Sequence, residues 1–269
     1  MALYATYLKL SLPIFLLGGL PFHALSMTGS KSESLDSLLP VARSLQRESV
    51  FPYLIVLRLL QPGAPGSHEV KSDPVEGPEI WDPFEDGKTA SSYAFLLYVK
   101  QPVPGKRKSF TGINNVGHTF ITLIKYNTDN TYVSRSFGFY PKKRGFLSAT
   151  PLHPGAPSVF KNDSLHDWDE AVGKFISYRK FQRIIRIIKR YNLKEYDLNQ
   201  NNCTNFGMNV AMIGGISIRE TRGSWPLGKG SNPANAGQSI LEGKMDNTDS
   251  DSQDSLFIGR SSVLAGFYP

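Results

Sequence analysis

Two stretches of the chain alternate apolar and polar side chains. Gly117 to Tyr126 (GHTFITLIKY) and Thr131 to Tyr140 (TYVSRSFGFY) do so with a period of two, and the cluster Asn127-Thr128-Asp129-Asn130 separates them. Both runs are rich in β-branched and aromatic residues, so they predict a β-hairpin. If Tyr126 pairs with Thr131, His118 faces Phe139; a slip of one residue brings Tyr140 beside His118. Residues 92–100 (SYAFLLYVK) form a continuous apolar run and predict a buried strand. Residues 171–178 (AVGKFISY) predict a further strand.

Elsewhere the period lengthens to that of a helix. In residues 179–191, Phe181, Ile184, Ile185 and Ile188 fall on one stripe, and Arg179, Arg183, Arg186 and Arg190 lie opposite. Between Asn202 and Ile213, Phe206, Val210 and Ile213 repeat at helical spacing. Asn202 is a suitable N-cap, and Gly214-Gly215 provide the stop. This places Cys203 at the first helical position.

Between these elements the chain reads as loop: residues 61–90, 101–109, 141–157 and 225–233 are rich in Pro and Gly. Residues 53–60 (YLIVLRLL) fit a strand or a short helix. The Ser-rich segment 27–50 reads as a linker. From Lys244 the chain is acidic and polar and reads as a disordered tail. The expected organisation is a removable leader over 1–26, a linker and irregular segment over 27–90, a catalytic domain over 91–243, and a polar acidic tail over 244–269.

The leader is read from residues 1–26. Residues 1–9 carry one positive charge and no acid, residues 10–22 are almost wholly apolar, and Ala24-Leu25-Ser26 places small residues at a cleavage site. A spanning helix needs roughly 20 apolar residues, and this run is shorter and broken by Pro13, Gly18, Gly19 and Pro21. The chain is therefore expected to be secreted or periplasmic and not transmembrane.

The chain has 269 residues, a formal net charge of +7 and 20% charged residues. That composition excludes a disordered polyelectrolyte. A single cysteine, Cys203, excludes an intrachain disulfide framework and a zinc site built on two or more thiolates of this chain. There is no His-Glu-x-x-His and no calcium-loop pattern, so neither metal nor cofactor is expected. No nucleic-acid motif is present and no specific nucleic-acid binding is expected. Through its basic face the Arg/Lys helix 179–190 offers a dock for an anionic surface as a second kind of partner.

In an exported protein a lone thiol points to reactivity. At a helix N-terminus, free backbone N–H groups and the helix dipole stabilise a thiolate, and the residue's own N–H is placed to hold an oxyanion. The thiol then needs an imidazole, and His118, at the start of a strand, is the best supply.

The ordered set Gly117-His118-Thr119-Phe120-Ile121, then Asn202-Cys203-Thr204-Asn205-Phe206, resembles the circularly permuted branch of the NlpC/P60 (papain-like) superfamily. Lecithin:retinol acyltransferase-like proteins carry a comparable Asn-Cys-x-x-Phe element. Phe137-Gly138-Phe139-Tyr140-Pro141, Tyr196-Asp197-Leu198 and Trp225-Pro226 resemble a secreted bacterial subgroup. The resemblance covers residues 92–240. It implies an α+β, papain-like fold with an antiparallel sheet packed on the Cys-bearing helix. It also implies Cys203 as nucleophile, His118 as base, and a third polar residue to orient the imidazole. His166 is the first choice for that role and Tyr140 the second. The expected function is hydrolysis of amide or isopeptide bonds in a peptide or peptidoglycan-like substrate. Lipid acyl transfer or lipolysis on the same fold, and a non-catalytic binding module or secreted effector, are the alternatives.

Overall fold

A computed structural model describes residue 52 and residues 72–111, 115–142, 149–249 and 256–260. The expected leader, the linker and residues 53–60 lie outside the described residues. Strand β3 (His118–Asn127) is buried at every position. Its alternation predicts one solvated face, but its polar side chains are paired inside. The Thr119 and Thr204 hydroxyls lie 3.1 Å apart and those of Thr122 and Ser136 2.7 Å apart, while Lys125 Nζ donates to the carbonyls of Phe84 and Lys88. Buried polar groups satisfied in this way cost little, so the strand lies in the interior.

The predicted hairpin is β3 with β4 (Tyr132–Pro141), and the run 92–100 is the core of β2 (Ala90–Lys100). With β1 (Pro74–Val75), β6 (Ser158–Asn162), β7 (Glu170–Ile176) and β13 (Phe257–Arg260), they form one seven-stranded antiparallel sheet. Its order is β1-β6-β4-β3-β2-β7-β13. The class is α+β. Tyr126 pairs with Tyr132, one residue beyond the simplest hairpin register, because the turn takes in Thr131. Asn127 N–H donates to the Thr131 carbonyl, and Asn130 takes a left-handed φ of 60°.

The main core lies on the face formed by Phe95, Leu97, Val99, Ile121, Leu123, Phe137 and Phe139. Helices α2 (Tyr178–Tyr191) and α3 (Cys203–Gly214) contribute its other side. Phe181, Ile184, Ile185 and Ile188 of α2 are buried there, as the stripe predicts. Phe206 of α3 is enclosed by the rings of Phe137, Phe139, Phe160 and Tyr191. Gly207 lets α3 press on the sheet: a β-carbon there would meet Leu97 Cδ1 and Thr119 Cγ2 at 2.7 Å. The second face carries Leu96, Tyr98, Phe120, Ile124 and Tyr126 with Trp168.

Several segments read as loop are ordered. Residues 61–90 contain β1, helix α1 (Gly77–Trp81) and a 3-10 turn. The loop 141–157 holds β5 (Gly155–Ala156), which pairs with β8 (Tyr196–Asp197). Strand β9 (Ile216–Ile218) follows α3, and residues 222–241 form the hairpin β10 (Arg222–Trp225) and β11 (Gly228–Ser231), then helix α4 (Pro233–Leu241). Pro78 and Pro233 sit in the first turn of their helices, where the missing N–H is no loss. They start helices, whereas the composition reads them as breakers.

The acidic stretch read as a disordered tail is also partly ordered. Strand β12 (Met245–Asn247) pairs with β9, and β13 closes the edge of the main sheet. Asp249 pairs with Lys174 and Lys180, and Lys174 is 1% exposed. A buried ammonium needs a counter-charge, and the tail supplies it. This also takes Lys180 off the free basic face, whereas Arg179, Arg183, Arg186 and Arg190 are exposed. Among the described residues no helix is long and apolar enough to cross a membrane.

Candidate active site

Asn202 fixes the start of α3. Its side-chain oxygen accepts from the Thr204 and Asn205 backbone N–H groups at 2.9 and 3.0 Å, and Asn205 reaches back to the Asn202 N–H. The Asn202 amide also donates to the carbonyls of Leu198 and Ser231, both at 2.8 Å. The cap predicted from sequence is therefore present and tied to both flanking segments. Cys203 follows it, buried and free of any disulfide.

His118 opens β3, and the sheet register places it opposite Tyr140 on β4. The two rings stack at 4.2 Å. The imidazole Nε2–H donates to Asp163 Oδ2 at 3.0 Å. Asp163 Oδ1 accepts from the Tyr140 hydroxyl at 2.7 Å and from Ser72 Oγ at 2.6 Å. The carboxylate is 1% exposed, and three donors satisfy its charge. Because Nε2 is engaged with Asp163, Nδ1 is the nitrogen left toward the Cys203 thiol, and the two groups are near enough to shift each other's ionisation.

The electrostatics follow from this chain of contacts. Burial alone would lower the His118 pKa, but the charge and hydrogen bond of Asp163, with a smaller contribution from Cys203, push it up to about 9. Burial pushes the Cys203 thiol up. The hydrogen bond and charge of His118, the Thr119 backbone and the Thr204 hydroxyl outweigh that and lower it. Burial also raises Asp163, and His118 more than offsets it, so the carboxyl stays ionised. The arrangement favours a thiolate–imidazolium pair backed by a carboxylate.

His166 does not orient His118. It is half-buried, its ring centroid lies 5.1 Å from that of His118, and its Nδ1 donates to the Asp167 carbonyl at 2.7 Å. Burial and the neighbouring His118 charge lower its pKa. Asp163, three residues earlier in the same turn, holds the orienting position. Tyr140 stacks on the His118 ring and donates its hydroxyl to the carboxylate. Thus Cys203, His118 and Tyr140 come together with His166 at their side, and the third group is one that the sequence leaves unmarked.

Tyr196 is the second such residue. Its phenol is buried near Cys203. Burial, then the Cys203 charge, raise its pKa, so the phenol keeps its proton. Among the described residues no cluster of His, Cys, Asp or Glu could hold a metal ion. Comparison of the chain with protein-family models, curated proteins and solved structures finds no match.

Proposed function

We propose that the chain is an exported bacterial cysteine hydrolase with a papain-like fold of the permuted NlpC/P60 kind, cleaving amide or isopeptide bonds in peptides or peptidoglycan-like substrates. One observation carries the reading: a buried imidazole bonded to a carboxylate and close enough to the thiol at a helix N-terminus to lower its pKa. The order of His-bearing strand before Cys-bearing helix, and the packing of that helix on an antiparallel sheet, support it.

In this reading the Cys203 thiolate attacks the carbonyl carbon. The Cys203 N–H and the Tyr196 hydroxyl stabilise the tetrahedral oxyanion. His118 gives its proton to the leaving amine as the C–N bond breaks, leaving a thioester on Cys203. It then takes a proton from water, whose oxygen displaces the thiolate and releases the acid. Asp163 keeps the imidazole oriented throughout and stabilises it whenever it is protonated. The apolar stripe of α2, which would favour lipid acyl transfer if it faced outward, lies in the core, so amide chemistry is preferred. The exposed arginines of α2 fit an anionic surface near the substrate.

The test is incubation of the mature chain with a peptidoglycan digest and with isopeptide-linked peptides, read by mass spectrometry. Cleavage products, and an acyl adduct on Cys203 that is lost in Cys203→Ala, are expected. Product formation unchanged by Cys203→Ala would overturn the assignment.

A further inference from the structure

Two adjoining cavities flank the β10–β11 hairpin. One, of about 490 Å³, is lined by Arg107, Glu220, Thr221, Arg222 and Asn235. The other, of about 370 Å³, is lined by Asn199, Gln200, Arg222, Gly228 and Lys229. Arg222 borders both, and the second, a groove beside Gln200, carries Lys229 as well. The hairpin is anchored to the candidate nucleophile's helix: Ser231 accepts from the Asn202 side chain, and the Asn199 carbonyl packs against Gly230. Gln200 is three residues from Cys203, which limits their separation to about 11 Å.

The charges in the groove do not balance. Arg107 and Lys244 are both paired with Glu220 and Glu242. Asp197, the acid on the adjoining turn, accepts from the Asn199 and Gln200 N–H groups. Arg222 and Lys229 are exposed, and among the described residues neither side chain has an ion pair or hydrogen bond. Two uncompensated cations thus line a groove that starts within one short peptide length of the thiol.

We propose that this groove is a substrate subsite for an anionic group, a carboxylate or a phosphate, carried two to four residues from the scissile bond and held by Arg222 and Lys229. The assignment rests on Cys203 being the nucleophile. A guanidinium matches either anion with paired N–H donors, and such a contact is screened by salt.

The test uses affinity alkylation of the full mature chain. Bromoacetyl-Gly-Gly peptides ending in Glu, phosphoserine, Gln or Lys are compared at low salt, with iodoacetamide as the small neutral reference. In each case the thiolate sulfur displaces the halide, forming a C–S bond. The Glu or phosphoserine reagent should label Cys203 about tenfold faster than the Gln reagent, equivalent to one well-made contact, and the Lys reagent slowest. Whichever acid is faster identifies the anion. Arg222→Gln with Lys229→Gln should bring the acidic and neutral peptides to equal rates and leave iodoacetamide unchanged. Equal rates in the unsubstituted protein, with iodoacetamide labelling still dependent on His118, would overturn the subsite alone. Iodoacetamide labelling that is slow and indifferent to His118→Ala would overturn the nucleophile and the subsite together.

Discussion

Asp163 lies 3.0 Å from His118, 45 residues away in sequence, and the contact passes directly over Gly138. A β-carbon at position 138 would collide with Asp163 Oδ2 and His118 Nε2 and come within 2.8 Å of His118 Cε1. The pair therefore depends on a residue with no side chain. Gly138→Ala should separate imidazole and carboxylate and cost about 1–3 kcal/mol in stability. It should also raise the thiol pKa. Thermal melts and pH-dependent alkylation of the variant check both effects, and an unchanged thiol would contradict the geometry.

Removing the carboxylate charge isolates its role. Asp163→Asn should drop the His118 pKa and raise that of Cys203, because the largest influence raising His118 is that charge. Turnover should fall by about 10²–10⁴-fold, on the scale of lost acid–base catalysis. The pH–rate profile is the discriminating readout: a merely structural role would lower the maximum without moving the limbs.

Stability should depend on pH through the same pair. The His118 pKa is raised on folding, so its contribution is fully present below the unfolded value near 6.5 and is lost as pH rises through about 9. The Cys203 pKa is lowered, so its contribution is present above the unfolded thiol value and is lost as pH falls through the folded one. Between the two unfolded values the effects on proton uptake cancel. Denaturant titrations should therefore show a plateau near neutral pH, an alkaline loss from about pH 9 and an acid loss. His118→Ala should remove the alkaline component.

Tyr196 tests the oxyanion site. Tyr196→Phe keeps the ring that stacks on Phe139 at 5.6 Å and removes only the hydroxyl. Turnover should fall by about 10²-fold, with little change in melting temperature. Alkylation by a small halide, which builds no oxyanion, should change far less. Equal losses in both assays would place the hydroxyl's effect on the thiolate.

The hairpin, the two long helices and the Asn202 cap are legible in sequence because each is local: a period, a cap and a stop within about a dozen residues. The site is legible only as far as it shares that property. Cys203 is placed by its cap and His118 by the start of its strand. Asp163 sits in the polar run Asn162-Asp163-Ser164-Leu165-His166-Asp167 with no pattern around it. It reaches His118 because Phe137 pairs with Asn162 across the sheet. Ser72 is 91 residues from the carboxylate it serves, and Tyr196 belongs to a two-residue strand paired with another such strand. The imidazole of His166 draws attention by residue type, yet its neighbouring carboxylate does the orienting. The order in the tail escapes a local reading for a related reason: Asp249 is paired with Lys174 and Lys180, and no local window contains both partners.

The most direct test of the account is the rate of Cys203 alkylation by iodoacetamide against pH, in the unsubstituted protein and in His118→Ala. The account predicts a thiolate pKa well below the ordinary value of about 8.5, moving up when His118 is removed. A thiol that titrates at its ordinary value, or that is unreactive and indifferent to His118, would contradict it.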